Sequence, residues 1–70
     1  MKNINCNIQK TLDLAKQLLF LADVGDLQRE DAGCGVLFGV VRDCAYKIQA
    51  QASREREMHK ARGIWDSEEE

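Results

Sequence analysis

No run in this sequence approaches the ~18 to 20 apolar residues that a membrane-spanning helix requires. The opening Met1-Lys2-Asn3-Ile4-Asn5-Cys6 lacks the charged region, apolar core and small-residue cleavage site of a secretory signal. A cytoplasmic location without membrane contact is the expectation. Cysteine is scarce and odd in number: Cys6, Cys34 and Cys44 do not suit the disulfide framework of a small secreted domain. There is no CxxC pair, and His59 is the single histidine, so the closely spaced ligand pairs of a zinc motif are missing. No cofactor or metal is expected. Length is also short. A chain of 70 residues buries only roughly 60% of its unfolded surface and leaves little interior for an enclosed active site. The expectation is a protein that is not an enzyme and that needs a partner chain to complete its core.

Glycine and cysteine motifs point the same way. Gly33-x-Gly35-x-x-x-Gly39 lacks the spacing of a dinucleotide fingerprint and the lysine of a Walker loop. Cys34 and Cys44 would stand ~15 Å apart on one helix, beyond the ~7 Å that a disulfide tolerates between Cα atoms. They are read as small apolar residues of a core.

What the chain does contain is helical periodicity. Ile8, Leu12, Ala15, Leu19 and Ala22 recur at gaps of four and three, the seam of an amphipathic helix over about 4–23. Gly25 suits the end of that helix, and Asp31 suits the cap of the next. Cys34, Leu37, Val41, Cys44 and Ile48 repeat at gaps of three and four, and helix-favouring residues follow. They predict a second helix over about 32–62, with Leu37 and Val41 in its core and Gly63 as its stop. The run Val36-Leu37-Phe38-Gly39-Val40-Val41 read alone also suits a buried strand.

The fold expected is all-α: a two-helix antiparallel hairpin over residues 1–63, dimerising into a four-helix bundle. An acidic tail over 64–70 completes the chain. The longer second helix should overhang the first. Phe20, Gly35, Gly39, Leu37, Val41 and Tyr46 are the candidate helix–helix or dimer contacts. Gly35 and Gly39 lie one turn apart, where small residues let a second helix approach closely.

Charge is unevenly placed within a net of −2. Residues 36–62 carry six bases (Arg42, Lys47, Arg54, Arg56, Lys60 and Arg62) against three acids, and residues 63–70 carry four acids. Arg54, Arg56, Lys60, Arg62 and the lone Trp65 are candidates for binding a partner. The leading expectation is a small, non-enzymatic interaction or regulatory protein acting as a homodimer through helix faces. The second is a nucleic-acid-binding regulator using the basic part of helix 2. In length and layout the chain is similar to small bacterial helical-hairpin dimers of the plasmid RNA-modulator type. No residue motif carries that likeness, and it assigns no site.

Overall fold

The computed structural model describes residues 3–65, which form two helices, α1 (Asn3–Leu27) and α2 (Ala32–Ala61), packed antiparallel against each other as a hairpin. The Val36–Val41 run is helical throughout. At ~1.5 Å per residue the helices are ~37 and ~45 Å long.

Each junction has a local cause. Asp31 is extended (φ −148°, ψ 171°), and its carboxylate accepts the Cys34 backbone N–H at 2.7 Å, satisfying one of the free donors that open α2. This contact holds the Asp31 carboxyl below its ordinary pKa of 3.8. The turn before it is tied by Arg29 Nη1 to Asp26 Oδ1 at 2.7 Å. At the other end Gly63 takes φ 76°. Its N–H donates to the Lys60 carbonyl and the Ile64 N–H to the His59 carbonyl, each at 3.0 Å, the paired bonds of a Schellman stop.

Three expectations are corrected. The first concerns the end of α1, which runs four residues past Asp23. Gly25 is helical rather than terminal because the ring of Phe38 lies flat on it. A Cβ there would stand 2.4 Å from Phe38 Cζ, so only glycine leaves room for the ring. The second concerns the overhang. Asn5 bonds to Ile64, so α1 accompanies α2 to its last turn.

The third is the seam of α2. The buried residues of α2 are Ala45, Ala52 and His59, seven apart, with Phe38, Arg42, Gln49 and Arg56 half-buried beside them. Leu37 and Cys44 are exposed, Ile48 is 38% exposed, and Cys34 and Val41 are half-buried. The physical reason lies in α1, whose seam is as expected: Leu12, Ala15 and Ala22 are buried, with Ile8 and Leu19 half-buried. Ala15, Ala22 and Ala45 have no exposed surface. Alanine against alanine lets two helices approach at the short end of the usual 8–10 Å range. Larger side chains in that strip would hold the helices apart, so they are turned to the flanks.

Candidate interaction surface

Seven residues return a helix to nearly the same azimuth, so each flank of the hairpin is a pair of seven-residue stripes. On one side α1 presents Ile4, Thr11, Leu18 and Gly25, with Asn7, Leu14 and Leu21 beside them. On that side α2 presents Cys34, Val41, Ile48 and Glu55, with Leu37, Cys44 and Gln51. The two sets meet across a groove of about 400 Å³ lined by Ile4, Asn7, Ile8, Thr11, Ile48, Gln51, Ala52 and Glu55. Among these fourteen stripe residues Glu55 is the single charge. Leu14, Leu21, Leu37 and Ile4 are each more than half exposed, as is the neighbouring Val40.

The other side is different in kind. There α1 presents Gln9, Lys16 and Asp23, with Asp13, Phe20 and Leu27; α2 presents Arg42, Tyr46, Ser53 and Lys60. Arg42 Nη2 reaches Asp23 Oδ1 at 3.0 Å across the two helices. That carboxylate raises the pKa of the guanidinium above its ordinary value. Charge and ion pairing mark this side as one that faces water.

The six candidate dimer contacts therefore divide. Leu37 and Val41 belong to the charge-poor side, while Phe20, Gly35, Gly39 and Tyr46 belong to the charged side. Phe20 is 71% exposed and Tyr46 55%. Close helix packing at the glycines is not found within the hairpin. Gly35 faces the flexible Arg29 side chain, and a Cβ on Gly39 would meet nothing within 4 Å.

The candidate partner-binding bases do not form one stripe. Lys47 and Arg54 share the outer face, Arg42 and Lys60 the charged side, and Arg62 the C-cap. Arg56 turns into the seam, its Nε buried 3.7 Å from Glu57 Oε2 and without a hydrogen bond among the described residues. Lys60 Nζ pairs with the same carboxylate at 3.5 Å. Trp65 is half-buried at the end of the described chain; the acidic stretch expected beyond it, residues 66–70, lies outside the described residues.

One feature escaped the sequence reading. Asn5 has no exposed surface and His59 is 5% exposed. Asn5 Nδ2 donates to the Ile64 carbonyl at 2.7 Å, which leaves Oδ1 as the acceptor facing His59 Nδ1, also at 2.7 Å. The His59 proton must then sit on Nδ1. The signal was present: Asn5 lies seven residues before Leu12, and His59 seven after Ala52. Both extend the seam, as polar residues that an apolar pattern does not include.

No helix among the described residues is long and apolar enough to cross a membrane. Among the described residues no three His, Cys, Asp or Glu side chains are grouped to hold a metal ion. Compared with known proteins, the chain matches no family model, no curated protein and no solved structure.

Proposed function

We propose that this protein is a small, non-enzymatic interaction module that acts as a homodimer, two hairpins closing on their charge-poor sides into a four-helix bundle. The single observation that carries the reading is the contrast between the two sides of the hairpin. A solvated flank of fourteen residues in a chain that is 31% charged would be expected to hold more than one charge. The charged side has the ordinary mix; the other reads as surface meant to be covered. Its extent fits. The hairpin is 18 Å wide, and a ~36 Å length of it offers on the order of 600 Å² per copy, close to the ~800 Å² per partner of a standard interface.

Leu37→Asp separates this reading from one in which Leu37 is core. A buried unpaired charge would unfold the hairpin. On an intermolecular face it leaves the hairpin helical and abolishes association. Light scattering and circular dichroism on the same sample are expected to give the 7.9 kDa monomer with helix retained, where the native chain gives twice that mass. A native chain that scatters as a monomer at ~100 µM overturns the proposal.

The nucleic-acid reading has less support, because the six bases are spread around α2 and three of them are paired with carboxylates. A gel shift at ~50 mM salt, where phosphate contacts are strong, tests it; absence of binding ends it.

A further inference from the structure

We propose that the acidic residues 66–70 fold back onto a basic ladder at the terminal end of the hairpin, where Arg56 and Lys60 receive them. The ladder is short of anions. The first acid of α1 is Asp13, so α1 brings none to this end. On α2, Glu55 lines the groove of the charge-poor side. Glu57 alone serves both cations, at 3.7 Å from Arg56 Nε and 3.5 Å from Lys60 Nζ. Both pairs are longer than Arg29–Asp26 at 2.7 Å and Arg42–Asp23 at 3.0 Å. Arg56 Nε is buried and has no hydrogen-bond partner among the described residues, a condition that native structures rarely leave without a cause. The two side chains are 32% and 46% exposed, so a further carboxylate can reach them, and a carboxylate is the acceptor that matches a guanidinium best.

Residues 66–70 supply what the ladder lacks. They hold Asp66, Glu68, Glu69 and Glu70 and no base. Over the whole sequence, residues 1–12 and 53–62 hold six bases against two acids, an excess that these four acids equal. Their point of departure is fixed. The Ile64 N–H donates to the His59 carbonyl at 3.0 Å, and the Ile64 carbonyl accepts from Asn5 Nδ2 at 2.7 Å. Those bonds return the chain to the last turn of α2, beside Lys60. Arg56 is one turn, ~6 Å, further along, and five extended residues span ~17 Å, enough to pass both. A single exposed ion pair contributes little, but acids tethered this close stand at millimolar effective concentration. The latch leaves the charge-poor side to the second copy and needs no dimer to form.

The test reads backbone order at Ser67, Glu68 and Glu69 of the full chain by nitrogen-15 relaxation. At ~10 mM salt, where the Debye length is ~30 Å, order parameters are expected above ~0.6, the limit of a flexible backbone. At ~1 M salt, with a Debye length of ~3 Å, they are expected to fall below it. Values under ~0.6 at low salt overturn the latch. Arg56→Gln with Lys60→Gln is expected to release the segment at low salt. Lys47→Gln with Arg54→Gln removes the same charge from the outer face and is expected to leave it ordered; equal release by both pairs overturns the ladder as its seat. A last variant alters neither helix: Asp66→Asn with Glu68→Gln, Glu69→Gln and Glu70→Gln. It is expected to shift the Arg56 Nε–H resonance at low salt, and an unmoved signal refutes the contact.

Discussion

Asn5 and His59 are the polar pair among the buried residues of the seam, which are otherwise alanine and leucine. Both partners are buried, so removing one strands the other. Asn5→Ala leaves His59 Nδ1 and the Ile64 carbonyl without their partner, and an orphaned buried polar group costs about 1–3 kcal/mol. Urea denaturation is expected to show a loss of that order. Asp31 acts at the opposite end and in a different way. Its pKa is lower in the folded chain than the ordinary 3.8, so its stabilisation is complete above that value and is lost as pH falls through the folded value. Asp31→Asn keeps a capping acceptor that does not titrate. Between pH 5 and pH 2, Tm of the native chain should therefore fall further than that of the asparagine variant.

At the scale of the helices, glycine has two opposite meanings. Gly25 leaves room for the Phe38 ring, and Gly25→Ala is expected to destabilise by about 1–3 kcal/mol through overpacking. Gly39 has open space where its Cβ would be, so Gly39→Ala should stabilise by about 0.5–1 kcal/mol through helix propensity alone. Thermal melts of both variants check the two signs together. The existence of both helices, the Asp31 cap and the Gly63 stop were legible in the sequence because each rests on local chemistry. The α1 seam was legible too, since there the large and small apolar residues share one strip. The α2 seam was not. Its apolar arc is wide, running from Phe38 and Ala45 through Val41 and Ile48 to Leu37. Periodicity alone cannot say which part of such an arc turns inward. That choice is made by the alanines facing it from α1, a pairing between helices that no single-helix pattern contains. The same rotation explains the site. Leu37 and Val41 were assigned to core and dimer together, and the structure moves them to the flank that the proposed dimer would cover.

The whole molecule is one helix-layer thick, 48 × 18 × 14 Å. Its radius of gyration is 15.2 Å, against about 11 Å for a compact domain of this length. A single layer cannot enclose a core, and large apolar side chains are left exposed: Ile4, Leu14, Leu21 and Leu37 on the charge-poor flank, Phe20 and Leu27 on the other. If association supplies that core, stability depends on protein concentration, because a partner that binds the folded chain stabilises it by mass action. Tm is expected to rise between ~1 and ~100 µM chain; a constant Tm across that range argues for a self-sufficient hairpin. The alanine seam has a further consequence for how the hairpin finds its alignment. Ala15 and Ala22 face a strip in which Ala45 and Ala52 also repeat every seven residues. Sliding one helix by seven residues therefore returns small to small, and packing alone discriminates poorly between the two alignments. The short turn resists the slide, since two turns of helix would have to unwind to allow it. Asn5 and His59 resist it more selectively: in either shifted alignment one of them would face an apolar residue, Ala52 or Leu12, and the other would run past the facing helix, with their mutual hydrogen bond unmade. A buried polar pair that adds little net stability thus works as a register pin, rejecting the misaligned hairpin rather than strengthening the aligned one.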